Sequence, residues 1–217
     1  MSLKRPSAVL FDWDNTLIES WGVIHEAMSL TLLAMGQKAW SRDETEFRVR
    51  GSLRDTFPDL FGIRWREAEK VFYDSFSTIH LQHLKPIAEA EGLLADLQAM
   101  GCYLAVISNK RGPFLRREAE HLGWAHYFSK LAGAGDAARD KPAADHVELA
   151  LSAGGPPAGP DVWFVGDADI DLVCAWNTGC RPILLRAKSP EAGEFAAAAP
   201  DLYFPDIAAF RRHLREY

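Results

Sequence analysis

Two aspartates one residue apart, Asp12 and Asp14, follow directly on a short apolar run, Ala8-Val9-Leu10-Phe11. The same change from apolar to polar recurs twice. Tyr103 to Ile107 runs into Ser108-Asn109-Lys110, and Val162 to Val165 runs into Gly166-Asp167-Ala168-Asp169. Short, continuously apolar runs are the pattern of strands buried on both faces of a parallel sheet. In open sheets of that kind, ligands bind beyond the carboxyl ends of the strands, where the strand order reverses. Asp12, Asp14, Ser108, Asn109 and Asp167 are therefore expected on one rim. Three carboxylates crowded there repel one another unless a cation lies among them, and oxygen donors of this type suit magnesium. Any one of these aspartates alone reads as a turn or helix-capping residue. The coincidence of several strand ends points to chemistry.

The elements that must hold these residues are legible between them. Helical patterns span Leu93 to Met100, Phe114 to Leu122, Ala144 to Ser152 and Leu172 to Thr178, several closed by a nearby glycine (Gly101, Gly123, Gly179). Fainter strand signals lie at Lys130 to Ala134, Pro182 to Leu185 and Leu202 to Phe204. Alternating strands and helices predict the α/β class, a doubly wound parallel sheet covered by helices on both faces. The segment after the first strand differs in kind. It shows helical periodicity at Ile18, Trp21, His25, Met28, Leu32 and Met35, and again at Val71, Phe72, Ser75 and Ile79. This predicts a small all-helical cap domain over 18–85, inserted into a core domain formed by 1–17 and 86–217. Its hinges are expected near Leu17 to Ser20 and Leu84 to Pro86.

Composition narrows the classes. The chain has 217 residues, 48% hydrophobic and 25% charged, which fits a folded globular protein. A net charge of −6 with no basic run argues against a nucleic-acid partner. Lys4 and Arg5 ahead of Ala8 imitate a signal peptide, but the apolar run stops at Asp12, and no segment has the length of a membrane span. Cys102, Cys174 and Cys180 lack paired metal-type spacing and read as small buried hydrophobes of a reducing compartment. A cytoplasmic protein, monomer or homodimer, is the expectation.

Phe11-Asp12-Trp13-Asp14-Asn15-Thr16-Leu17 resembles the first motif of the haloacid dehalogenase superfamily, Asp-x-Asp-x-Thr. Ile107-Ser108-Asn109-Lys110 resembles the second motif, Asp140-Lys141-Pro142 the third, and Gly166-Asp167-Ala168-Asp169-Ile170-Asp171 the fourth. Within the superfamily, the chain is similar to the phosphoglycolate phosphatases. The resemblance implies a Rossmann-like core, a helical cap between the first two motifs, and magnesium-dependent hydrolysis of a small phosphomonoester. By it, Asp12 attacks phosphorus and becomes an aspartyl-phosphate, and Asp14 protonates the leaving alcohol and then activates water. Asp12, the Asp14 carbonyl and Asp167 hold the metal. Ser108, the Asn109 backbone and Lys141 bind phosphoryl oxygens, and Thr16 and Asp171 orient the others. Asp169 either shifts the metal's surroundings or caps the following helix. Departures are Ala144, where relatives often have a second proline, and Ala168, where many have serine.

Other readings attach to single features. A phosphomutase like β-phosphoglucomutase also keeps both aspartates, though such relatives tend to have glycine at the position of Thr16. A non-catalytic phosphate-binding or regulatory module would be favoured by loss of Asp12, Asp14 or Lys141, and all three are present. Arg48, Arg50 and Arg54 either supply an arginine for a substrate carboxylate, with Arg54 the one to test, or form a solvated basic face. Lys110 either reaches the far end of the substrate or sits in solvent, and Trp13 either lines the pocket floor or rests on the cap. His80 and His83 have no third ligand and read as helix surface.

Overall fold

In the computed structural model, which describes residues 5–49 and 51–217, the apolar run before Asp12 forms β1 (Ala8–Phe11), buried along its whole length. Lys4 and Arg50 lie outside the described residues. Along the chain follow β2 (Ile18–Glu19), α1 (Trp21–Ala34), α2 (Arg42–Arg48), α3 (Leu53–Phe61), α4 (Trp65–Ile79) and β3 (Lys85–Pro86). Then come α5 (Ala90–Ala99), β4 (Tyr103–Arg111), α6 (Gly112–His121), β5 (Lys130–Ala134), α7 (Asp145–Leu151), β6 (Val162–Gly166), α8 (Asp169–Thr178), β7 (Arg181–Leu185), β8 (Leu202–Phe204) and α9 (Ile207–Leu214).

The main sheet has six strands in the order β5-β4-β1-β6-β7-β8, and every neighbouring pair is parallel. From β1 the chain builds outward through β4 to β5, then returns to the other side of β1 and builds β6, β7 and β8. The order reverses at β1, so its carboxyl end is the switch point. Ala8, Leu10, Ala105, Ile107 and Phe164 form one face of the core with Val147 and Ala150 of α7 and Ala175 of α8. The three cysteines are free and buried, as expected of small hydrophobes. The helix α9 carries no expectation above. Its buried stripe, Ile207, Phe210 and Leu214, starts where the Asp206 carboxylate accepts the Ala209 N–H at 2.7 Å.

The chain divides into two compact units, Met1–Ile18 with Pro86–Tyr217, and Glu19–Lys85. The boundary thus falls one residue beyond the expected one, because Ile18 is buried and its N–H reaches the Trp13 carbonyl. The two connecting segments pair as the ladder β2–β3, where Lys85 Nζ donates to both oxygens of Glu19 at 2.9 and 2.8 Å. The second unit is helical and is cemented by aromatic rings. Phe57 meets Phe61 edge-on at 4.9 Å, and Phe72 stacks on Phe76 at 5.8 Å. Each such buried ring contributes about 1.5–3 kcal/mol of hydrophobic stabilisation. Its ion pairs include Arg42–Glu46, Arg64–Glu67 and Lys70–Asp74, each of them exposed. Ser41 and Glu44 start α2 with a reciprocal capping box. His80 is not helix surface as expected: it is buried and stacked on Phe76 at 5.1 Å, whereas His83 is exposed.

Candidate active site

The backbone carries the first motif out of the sheet in two steps. The Asp12 N–H donates to the Val165 carbonyl at 2.8 Å, extending the ladder onto β6 by one residue. Asn15 then takes a positive φ of 62°, a conformation asparagine tolerates better than most residues, and its N–H donates to the Ile18 carbonyl at 2.6 Å. Between β4 and β5 the register shifts after Ile107, so the second motif sits on an irregular strand end. There the buried Ser108 hydroxyl accepts the Lys110 N–H at 3.1 Å.

Four of the expected residues converge on Asp12. Lys141 Nζ donates to Asp12 Oδ1 at 2.6 Å and to Asp171 Oδ1 at 2.7 Å. The Thr16 hydroxyl lies 3.4 Å from both Asp12 Oδ2 and Asp167 Oδ1. Asp171 Oδ2 accepts the Ala168 N–H at 3.1 Å, closing the first turn of α8. Asp169 is therefore not the cap of this helix: it is exposed, and its carboxylate accepts the adjoining Ile170 N–H at 3.0 Å. The cap goes to Asp171 because its side chain points back over the helix start. Gly166 makes this possible, since a Cβ there would fall 2.3 Å from the Asp171 carboxyl carbon. The Asn109 amide grips the Lys141 backbone from both sides, accepting its N–H at 3.0 Å and donating to its carbonyl at 3.3 Å. That side-chain role adds to the backbone role expected for Asn109.

Burial is the main influence on the carboxylates. It pushes Asp12 up to about 7, with Lys141 opposing and Asp171 and Asp14 adding to the rise. Asp167 is pushed well above the usual carboxylate range, by burial first and then by Asp171 and Asp12. For Lys141, burial works against the charge, but Asp12 and Asp171 outweigh it and hold the ammonium firmly protonated. Oxygens of Asp12, Asp167 and Asp171 lie within 4.8 Å of one another. Three carboxylates against one ammonium leave an excess of negative charge that a hard divalent cation relieves, so an all-oxygen donor set suited to magnesium is present. The Asp14 carboxylate is outside this set.

Asp14 is engaged elsewhere. Lys110 Nζ donates to Asp14 Oδ1 and to Glu118 Oε2, both at 2.6 Å, and Trp13 Nε1 donates to the same Glu118 oxygen at 2.7 Å. Lys110 therefore does not sit in solvent: its side chain is buried and clamped between two carboxylates. Burial disfavours its charge, yet Asp14 and Glu118 together hold its pKa above the ordinary lysine value. Trp13 likewise is fully buried, edge-on to Trp124 at 6.0 Å and Phe128 at 6.3 Å. Glu118 carries no expectation above. Its signal was its spacing, since it shares the buried stripe of α6 with Leu115 and Ala119. In the helical unit, Arg54 is half-buried on α3, and Arg48 pairs with Glu44 at 3.9 Å while its guanidinium lies over Trp40 at 4.9 Å.

With this geometry described, similarity decides the family. The model of haloacid dehalogenase-like hydrolases matches residues 9–185. The chain belongs to that family. Haloacid dehalogenase-like relatives include the phosphoglycolate phosphatase of Photorhabdus laumondii, 27% identical over 207 residues, covering 92% of this chain and 88% of that one. That of Pectobacterium atrosepticum is 30% identical over 188 residues, covering 80% and 77%. A hydrolase of the superfamily from Ehrlichia chaffeensis has a solved structure with TM-score 0.67 and 28% identity over 99% of this chain and 98% of its own. CbbY from Rhodobacter sphaeroides, solved with phosphate, shares the fold with TM-score 0.79 at 21% identity, covering 94% and 95%. This haloacid dehalogenase-like chain is a phosphatase, a phosphoric monoester hydrolase. Among its described residues, no helix is long and apolar enough to cross a membrane.

Proposed function

We propose that the chain hydrolyses a small, phosphoglycolate-like phosphomonoester with magnesium, through an aspartyl-phosphate on Asp12. The observation that carries this reading is the convergence of Asp12, Asp167 and Asp171 on one another, with Lys141 bonded to the proposed nucleophile. An Asp12 oxygen attacks phosphorus as the phosphorus–alkoxide bond breaks, and Asp14 gives its proton to the leaving oxygen. Asp14 then takes a proton from water, which attacks phosphorus and frees the Asp12 carboxylate and inorganic phosphate. Ser108, the Asn109 N–H and Lys141 hold the phosphoryl oxygens, and Thr16 and Asp171 keep Asp12 and Lys141 in place. Magnesium held by Asp12, Asp167 and the Asp14 carbonyl would supply charge neutralisation for phosphate binding and phosphoryl transfer. It would also favour the ionised Asp12 that burial alone opposes.

The helical unit is the cap of this reading, joined to the core through hinges at Leu17 to Ser20 and Leu84 to Pro86. Arg54 pairs with the carboxylate of the substrate. The names of the relatives support this choice of substrate. The test is phosphate release from a panel of phosphomonoesters including 2-phosphoglycolate, with magnesium and with chelator, for the native chain, Asp12→Asn and Arg54→Ala. Expected are magnesium-dependent release, its loss in Asp12→Asn, and for Arg54→Ala a KM raised for esters bearing a carboxylate and unchanged for those without. No release from a folded, magnesium-binding protein would overturn the reading.

A further inference from the structure

Glu118 poses a question that the reaction above does not answer. It is a carboxylate 1% exposed, on a helix inside a folded domain, where an unpaired charge costs several kcal/mol. Lys141 serves the Asp12 and Asp171 carboxylates, whereas Glu118 serves a different lysine. The partners of Glu118 are two donors that meet on one oxygen, Trp13 Nε1 and Lys110 Nζ. Lys110 passes the linkage on to Asp14. Two consecutive residues of the first motif are thus tied to the same carboxylate: Trp13 directly, and Asp14 through one ammonium.

We propose that Glu118 is a positioning residue for the proton-transferring Asp14, fixing the Lys110 ammonium that in turn fixes the Asp14 carboxyl beside the leaving oxygen. This role rests on the reading of Asp14 as acid and base given above. The physical reason lies in the flexibility of lysine. An ammonium on a four-carbon stem can swing between acceptors, and a single partner does not define its place. Two carboxylates, one of them anchored by a rigid indole, do. Holding a proton donor within hydrogen-bond reach of a reacting atom is what makes general acid catalysis effective, and a small misplacement forfeits much of it.

The consequence is selective. Esters with poor leaving groups, such as alkyl phosphates, need the proton from Asp14, whereas p-nitrophenyl phosphate expels a stabilised phenolate without it. The experiment measures kcat/KM, which reports the steps up to release of the alcohol, for Glu118→Gln on 2-phosphoglycolate or another alkyl ester and on p-nitrophenyl phosphate. The amide introduced by Glu118→Gln would still present an oxygen to both donors but without the charge; Glu118→Asp, which keeps the charge and withdraws it by one methylene, is the second variant. Asp14→Asn is the reference, and magnesium titration by calorimetry checks that the Asp12 cluster is intact. Expected is a roughly tenfold to hundredfold loss on the alkyl ester and no more than about threefold on the aryl ester, in both Glu118 variants, with unchanged magnesium affinity. Equal losses on the two esters, or none on either, while Asp14→Asn remains selective, would overturn the role of Glu118. If Asp14→Asn itself shows no selectivity between esters, the reading of Asp14 fails, and that of Glu118 with it.

Discussion

The rim of the sheet holds two lysines with buried side chains in different electrostatic circumstances. Lys141 bridges Asp12 and Asp171 with Asp167 close by, so negative charge outnumbers positive, and the carboxyls of Asp12 and Asp167 are pushed upward. Lys110 bridges Asp14 and Glu118, and the Trp13 N–H adds a further donor to Glu118. The first arrangement needs a further cation to be comfortable. The second carries a smaller excess, two carboxylates against one ammonium, eased by the Trp13 N–H. The two neighbouring aspartates of one short motif thereby have different surroundings, Asp12 among carboxylates and Lys141, Asp14 on Lys110.

Removing each lysine should separate the two. In chelator, Lys141→Met and Lys110→Met should each destabilise the fold by about 3–5 kcal/mol, the usual effect of leaving buried charges uncompensated. Denaturant melts with added magnesium should recover part of the loss in Lys141→Met and little in Lys110→Met. Equal recovery in both would break the comparison.

The next effect concerns pH. Because the folded pKa of Asp12 is raised to about 7, the native state binds a proton between about pH 4 and 7 that the unfolded chain has released. In chelator this contribution to stability is present at low pH and is lost as pH rises through about 7. Magnesium competes with that proton, so the shift in melting temperature it produces should grow from pH 5.5 to pH 8 (chosen conditions spanning about 7), reaching about 2–3 kcal/mol of stabilisation at about 100 times its dissociation constant. Thermal scans across that range check the sign. A shift that shrank with rising pH would contradict it.

Gly166→Ala sharpens the geometry. The added methyl cannot coexist with the Asp171 carboxyl as placed, so a cost of about 1–3 kcal/mol and weaker magnesium binding are expected from melts and titration. The smallest effect should come from the helical unit. Lys70→Ala breaks an exposed pair with Asp74 and should change stability by less than about 0.5 kcal/mol, a baseline against which the buried lysines are judged.

Much of this was readable from residue order. The strands β1, β4 and β6 stand out as apolar runs ending in polar residues, and the parallel sheet follows from the alternation of strand and helix. What escaped were pairings that depend on which way a side chain faces. Lys110 follows two polar residues, so residue order leaves it either toward the substrate or in solvent and gives no sign of the Glu118 pairing that buries its side chain. Glu118 looks like one more charge among Arg116, Arg117 and Glu120, although its spacing from Leu115 placed it on the buried stripe. The hinting period was there; the partner, distant in sequence, was not. Helices α2, α3 and α9 are short, and short helices give too few turns for a period to stand out.

The central strand β1 is synthesised before every other strand of its sheet. Apolar on both faces, it has no ladder partner until β4 is made and is not enclosed until β6 follows. In the interval the ribosome releases the helical unit, whose internal contacts fall within 19–85 and can form locally. A nascent chain of this kind carries an apolar strand still without its partners while the helical segment emerges. Protection of that strand during translation, more than the strength of the finished sheet, would then limit how much active protein accumulates.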